Sequence, residues 1–294
     1  MSDQPTPFAY SDEFKEAIRS MLTEHEKAPG APDWVALAVN RVEEKRRNFL
    51  PVISRYVQLA GLQVLEIGCG SGPASVVMAE QGATVTAVDL DPRMAHAAQL
   101  RVRDHGLSDV VHVQPSSSGD RLDFPADSFD LVICNGVFEH VQPEFRDGLL
   151  REIWRVLRHG GHVFLGETPN RLWPQDVHTT ELWFLHYLPR GLATRYARLR
   201  KQISPTDDLV ALGGLGCFYW RLVAPLPAPE RLVLNMVDNY SWVNRHRREA
   251  AGSSAVKRIL FGALNIVERF FFRPLLRMPT DALLPYLTIC VRKN

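Results

Sequence analysis

The chain has 294 residues, enough for one large domain or a domain with a substantial appendage. Its 46% hydrophobic and 23% charged residues exclude a disordered or fibrous protein. A formal charge of +1 argues against nucleic acid as the main partner, because phosphate recognition leaves a basic excess.

Residues 1 to 10 are polar with Pro5 and Pro7, and read as a poorly ordered arm without the basic and apolar regions of a signal peptide. Ser11-Asp12-Glu13 supplies a cap and an acidic first turn for a helix to about Thr23, which Pro29 to Pro32 ends. Asp33 caps a second helix carrying Val35, Val39 and Val42 at helical spacing, and Pro51 restarts the stripe that runs on through Phe49, Ile53 and Tyr56. From Leu62 onward short β-branched runs alternate with helical patterns: Val64 to Ile67, Ala83 to Asp89, Val110 to Gln114, Phe129 to Cys134 and His162 to Glu167. That order predicts an α/β, Rossmann-like, doubly wound parallel sheet. Beyond Pro169 the pattern becomes a helix from Pro189 to Lys201, a Gly213-Gly214-Leu215-Gly216 loop, a strand near 232–237, a long helix over 256–272 and a last strand from Pro285 to Val291. Four scattered cysteines, Cys69, Cys134, Cys217 and Cys290, lack metal or disulfide spacing and suggest reduced thiols of a cytoplasmic protein. No apolar run reaches the roughly 18 residues that span a bilayer.

The most informative stretch is Val64-Leu65-Glu66-Ile67-Gly68-Cys69-Gly70-Ser71-Gly72. A strand followed by alternating glycines lets the backbone turn sharply and approach a ligand, and Pro73 opens the helix that follows. A dinucleotide fingerprint would need glycine where Pro73 stands. Asp89 ends the next strand about 20 positions on, where a carboxylate accepts hydrogen bonds from ribose hydroxyls; Asp91 before Pro92 reads as a helix cap. Further along come Ser118-Gly119-Asp120 before Ser128-Phe129-Asp130, then Asn135-Gly136-Val137-Phe138-Glu139-His140-Val141, then Arg155-Val156-Leu157-Arg158-His159-Gly160-Gly161. The glycine pair is expected to cap the helix over Pro143 to Leu157.

These four stretches together resemble the signatures of class I S-adenosylmethionine-dependent methyltransferases, of the type 11-like group, over about residues 62 to 168. The resemblance implies a seven-stranded sheet, S-adenosyl-L-methionine as cofactor, and donor contacts from Glu66, Gly68, Cys69, Gly70, Gly72, Asp89 and Leu90. It places Ser118 or Asp120 on the adenine amino group, because the family's acidic residue falls on Ser118 in this chain. It also places Asn135 and Gly136 against the methionine part, and Glu139-His140 near the methyl. The implied division is an N-terminal cover over 1–60, a cofactor-binding core over 61–170, and a substrate-side insertion with the last strands over 171–294.

The region from Thr168 to Pro189 interleaves Trp173, Trp183, Phe184 and Tyr187 with His178 and His186, and is expected to line the acceptor pocket. Its Pro-Asn-Arg…His-Thr…Leu-Pro pattern resembles bacterial methyltransferases of quinone, lipid or cell-surface glycan pathways. Methyl transfer to oxygen benefits from a base, with His140 and His178 as candidates; His186 reads as a surface or packing residue. The resemblance requires no metal, and no ligand spacing is visible in the sequence. Carbon or nitrogen methylation of a small metabolite and a silent cofactor-binding module are the rival readings. The apolar helix over 256–276, flanked by Arg245 to Arg248, fits either core packing or peripheral membrane contact.

Overall fold

A computed structural model describes residues 8–23, 26–27, 30–226, 235–236 and 286–294. The helix expected over 256–276, its flanking arginines and most of the strand expected at 232–237 lie outside these residues. The chain divides into two compact units, Met1–Ser118 and Gly119–Asn294.

In the first unit, helix α1 spans Asp12–Met21 and α2 spans Trp34–Asn48. Both begin where a side-chain oxygen accepts a first-turn amide, Ser11 from Phe14 and Asp33 from Ala36. The helix restarts as the short α3, Leu50–Ile53, with Pro51 in its first turn. Phe14 and Ile18 of α1 and Ala38 of α2 pack with Ala97 and Leu100 of α5, Pro92–Asp104. Tyr10 joins this core at 4% exposure, so the arm expected to be loose through residue 10 is already packed there. Strands β1 (Gln63–Ile67), β2 (Thr84–Asp89) and β3 (Val111–Pro115) are parallel in the order β3-β2-β1. The Val64 to Ile67 run is buried throughout, as a parallel strand covered on both faces must be. Helix α4, Pro73–Glu80, links β1 to β2, and only Glu80 of its residues escapes burial.

In the second unit, β4 (Phe129–Asn135) runs parallel to β5 (Leu157–Pro169) across helix α6 (Pro143–Val156). Beyond β5 come a 3-10 turn at Leu185–Tyr187, α7 (Arg190–Leu199) and α8 (Tyr219–Val223). The last strands, β6 (Asn235–Met236) and β7 (Tyr286–Arg292), pair antiparallel, β7 with both β5 and β6. In this unit the pairing is mixed and not wholly parallel, because the βα alternation that produces parallel neighbours stops after Pro169.

A second difference concerns Gly160-Gly161. Helix α6 ends one step earlier, on an extended Leu157, and the glycines fall inside β5. There the register against β4 jumps from Phe129↔Leu157 to Leu131↔His162, so the pair absorbs an irregularity and does not cap the helix. Gly160 has φ +79°, and a β-carbon on Gly161 would stand 2.8 Å from the Asp130 carbonyl oxygen and 2.9 Å from that of Arg158. Gly161→Ala is therefore expected to cost about 1–3 kcal/mol and lower Tm by about 2–10 °C. Gly191→Ala, in α7 where nothing lies within 4 Å, should leave the thermal melt unchanged or slightly raised.

Candidate active site

The glycine turn follows β1 and is held by main-chain bonds to β2. Gly68 and Cys69 donate their amides to the Val88 carbonyl at 2.8 and 3.1 Å, and the Gly72 amide donates to Cys69 at 2.9 Å. Gly68, Gly70 and Gly72 have φ of +69°, +53° and +79°, in the left-handed region that side chains disfavour. Gly72 is doubly constrained, because a β-carbon there would reach 3.0 Å from the Ala98 β-carbon on α5. Asp89, half-buried at the end of β2, accepts the Gly70 amide on Oδ2 at 2.8 Å and the Asp91 amide on Oδ1 at 2.9 Å. Each oxygen keeps a lone pair for a further donor. Leu90 beside it is 58% exposed, and Asp91 caps α5 by accepting the Arg93 amide.

Behind the turn the site is dry. Glu66 is 4% exposed and its carboxylate accepts the Ser75 hydroxyl of α4. Burial pushes its pKa up to about 7, only partly offset by Ser75 and by the charge of Lys45. Glu66 therefore braces the turn from beneath. Cys69 is buried, which raises its thiol pKa well above the ordinary value and leaves it inert. Arg101 of α5 is fully buried: Nε donates to the Ser71 carbonyl at 2.6 Å, and the two terminal nitrogens reach the Tyr10 hydroxyl at 3.0 Å and the Ala38 carbonyl at 2.8 Å. It ties the turn to α2 and the N-terminal segment. Burial lowers its pKa to about 10, so it remains a cation at neutral pH.

In the second unit the chain leaves β4 at Asn135 and Gly136. Asn135 Nδ2 donates to Glu167 Oε2 at 2.7 Å, while its Oδ1 is buried without a partner. Gly166 must be glycine, because a β-carbon there would overlap Asn135 Oδ1. Gly136 turns with φ +68°. Glu139 follows, fully buried, with neither carboxylate oxygen in a formed hydrogen bond. Burial raises its pKa to about 8 despite its own amide and the charge of Arg146. Arg146 spends its guanidinium on main-chain carbonyls, those of Val141 at 2.9 Å, Gly216 at 3.1 Å and Glu139 at 3.4 Å.

His140 and His178, the two expected bases, come together with Glu139. Their ring centroids are 5.7 Å apart, and His140 Nε2 is 3.9 Å from Glu139 Oε1. His140 Nδ1 pairs with the Ala211 carbonyl at 2.7 Å, which requires the proton on Nδ1 and leaves Nε2 with a lone pair. Asp176 positions His178: its Oδ1 accepts the amides of His178 and Thr179 at 3.1 and 3.2 Å, and its Oδ2 accepts that of Thr180 at 2.9 Å. Burial, then the neighbouring His140, lowers the pKa of His178 below the ordinary imidazole value.

Other expected residues lie elsewhere. His186 is a packing residue, 1% exposed with Nδ1 3.2 Å from the Trp173 carbonyl. Trp183, Phe184 and Tyr187 are 54%, 59% and 50% exposed, so they face solvent and do not line an enclosed pocket. Buried Leu182 and Leu185 anchor this segment against Ala193 and Ala197 of α7. Ser118 is half-buried at the end of the first unit, its carbonyl accepting the Ser116 hydroxyl at 2.9 Å. Asp120 lies in the second unit against Gly148 of α6, where a β-carbon would stand 3.5 Å from its own. Sequence reasoning missed Arg101, Arg146 and Gly213, whose roles come from contacts distant in sequence.

Residues 65–165 match the profile of a methyltransferase domain. This stretch is similar to S-adenosylmethionine-dependent methyltransferases of class I. Over 124 residues the chain is 40% identical to a ubiquinone biosynthesis O-methyltransferase of Xanthomonas oryzae pv. oryzae, covering 42% of this chain and 49% of that one. A protein of the same name from Proteus mirabilis is 29% identical over 209 residues, 69% of this chain and 80% of that one. The Xanthomonas and Pseudomonas relatives are thus matched over about half their length. Among solved structures, geranyl diphosphate C-methyltransferase from Streptomyces coelicolor, captured with S-adenosyl-L-homocysteine, aligns at TM-score 0.53 and 13% identity over 99% of this chain and 91% of that one. An S-adenosylmethionine-dependent methyltransferase from Mesorhizobium loti aligns at TM-score 0.50 and 18% identity over 83% and 96%. Both share the methyltransferase fold.

Glu66 gives the protein a pH signature. A carboxyl raised from 4.5 to about 7 on folding binds a proton more tightly in the native state. Its contribution to stability is full below about pH 4.5 and is lost as pH rises through about 7. Glu66→Gln should flatten the fall in Tm between pH 5 and 8 relative to the wild type; parallel Tm profiles for the two proteins would contradict this assignment.

Proposed function

We propose that the chain is an S-adenosylmethionine-dependent methyltransferase that methylates oxygen on a small-molecule or lipid-like acceptor. The observation that carries the reading is the glycine turn braced by Asp89, within the stretch that matches a methyltransferase domain, in a chain 40% identical over 124 residues to a ubiquinone biosynthesis O-methyltransferase. The donor residues fit the cofactor. Main-chain groups of Gly68 to Gly72 are open to close approach, and Asp89 keeps lone pairs for a ribose diol. Glu66 and Cys69 support the turn from the buried side. Leu90 offers an exposed apolar surface beside it. Ser118, Asp120, Asn135 and Gly136 are assigned to the cofactor on family resemblance.

S-adenosylmethionine supplies, when bound, a methyl group on a positively charged sulfur. The chain's own residues hold the turn rigid and take up the acceptor's proton. As the acceptor oxygen forms its bond to carbon, its O–H bond breaks. His178, kept neutral by burial, or the lone pair of His140 Nε2 accepts that proton. The functional division follows the boundaries read from sequence, with cover over 1–60, donor core over 61–170 and acceptor region over 171–294. No described helix is long and apolar enough to cross a membrane. We place the protein in the cytoplasm, with peripheral membrane contact assigned to residues 256–276.

Formation of S-adenosylhomocysteine from S-adenosylmethionine, measured by chromatography with a panel of hydroxylated lipid-like and small acceptors, tests the reading. Turnover is expected with at least one acceptor, and His178→Ala should reduce it by about 10²–10⁴-fold while leaving S-adenosylhomocysteine affinity unchanged. Cofactor binding with no turnover on any acceptor would favour a silent module, and full turnover by His178→Ala would remove that residue from the chemistry.

A further inference from the structure

The end of β5 carries an irregularity that strand pairing alone does not require. Leu165 pairs with Ile289 of β7 and Thr168 with Leu287, so Gly166 and Glu167 together stand opposite the single residue Thr288. This is a β-bulge, the device by which a strand re-aims a side chain, and it lies at the carboxyl end of the strand, where open α/β sheets take their ligands. Glu167 has φ +52°, in the left-handed region that a long side chain disfavours. Thr288, itself 3% exposed, accepts the Glu167 amide on Oγ1 at 3.3 Å. The re-aimed carboxylate accepts Asn135 Nδ2 at 2.7 Å, and next to that bond the Gly136 amide donates to the Gly166 carbonyl at 2.9 Å. The two residues of the bulge thus hold the two residues at which the chain leaves β4. The arrangement is costly, with a strained backbone at Glu167, an unpaired buried Asn135 Oδ1 and a position at Gly166 that excludes any side chain. Glycine at position 167 would relieve the strain. What it would lose is the carboxylate.

We propose that Glu167 is a positioning residue, whose carboxylate fixes Asn135 and the turn at Gly136 in their ligand-binding arrangement while lowering local stability. A hydrogen bond to an ionised acceptor is roughly twice as strong as a neutral one, so this one can hold the Asn135 side chain in place before any ligand arrives. Ordering the exit from β4 in advance removes an entropic cost from binding. The ligand consequence rests on the cofactor reading, in which Asn135 and Gly136 meet S-adenosylmethionine. Glu167 itself needs no contact with the ligand, because it acts through Asn135 and through the main-chain bond between Gly136 and Gly166.

Glu167→Gly and Glu167→Gln in the full-length protein separate this role from a folding role. Glu167→Gly relieves the left-handed backbone and removes the hydrogen bond, so Tm should hold or rise. Amide exchange of the ligand-free variant, read by mass spectrometry, should be faster over residues 134–141 and unchanged over Arg190–Leu199. By calorimetry it should bind S-adenosylhomocysteine about tenfold more weakly than the wild type. In Glu167→Gln the side-chain oxygen can still accept from Asn135, so exchange and affinity should stay within about threefold of the wild type. Wild-type exchange over residues 134–141 in Glu167→Gly, or wild-type affinity in that variant, would overturn the positioning role, and so would equal losses in both variants. A lower Tm in Glu167→Gly would assign the carboxylate to folding and overturn it as well. A wild type that fails to bind S-adenosylhomocysteine while the exchange difference holds would sink the cofactor reading alone and leave Glu167 as the residue that orders the exit from β4.

Discussion

One carboxylate organises the donor side of this protein. Asp89 receives the amides of Gly70 and Asp91, and so joins the turn after β1 to the turn after β2. Three left-handed glycines give the first turn its shape, but they would equally permit many other shapes. The bonds from Asp89 select one. The residue read from sequence as a ribose ligand is thus also a part of the loop's framework, and under the proposed function loop order and cofactor affinity would depend on the same side chain. Arg101 supports the opposite side of that loop through Ser71, and because it also holds Tyr10 and Ala38, the N-terminal helices become part of the binding loop's foundation.

The second unit uses a different physical device. There a carboxylate is buried without a hydrogen-bond partner, and the nearby arginine is committed to main-chain carbonyls. Such a group is costly as an anion, which is why its proton affinity rises to about 8. Two histidines stand beside it, one with Nδ1 bonded to the Ala211 carbonyl and one whose proton affinity is lowered by burial and by its neighbour, so the cluster holds a proton on the carboxyl more readily than on His178. Gly136 and Gly213 keep that place open.

Much of the fold was legible because its signals are local. The buried Val64 to Ile67 run, the caps at Ser11, Asp33 and Asp91, and the restart at Pro51 all follow from neighbouring residues and all appear in the structure. Gly160-Gly161 was misread because two local explanations exist for a glycine pair after a helix, and only the register of β4 against β5 distinguishes them. The aromatic stretch was misread in a similar way. Leu182, Leu185 and His186 face the interior, and the intervening Trp183 and Phe184 are left to solvent. His140 and His178 were legible as candidate bases, but the cluster they form with Glu139 was not, since it depends on a turn around Asp176 and a glycine far downstream at Gly213.

The central claim is that the Asp89-braced turn is built to hold S-adenosylmethionine. Calorimetric titration of S-adenosylhomocysteine into the wild type and Asp89→Ala tests it most directly, with thermal melts confirming that both are folded. Loss of hydrogen bonds to a charged acceptor costs about 1.5–3 kcal/mol, so the variant should bind about 10- to 150-fold more weakly. Equal affinity in the two folded proteins would contradict the account.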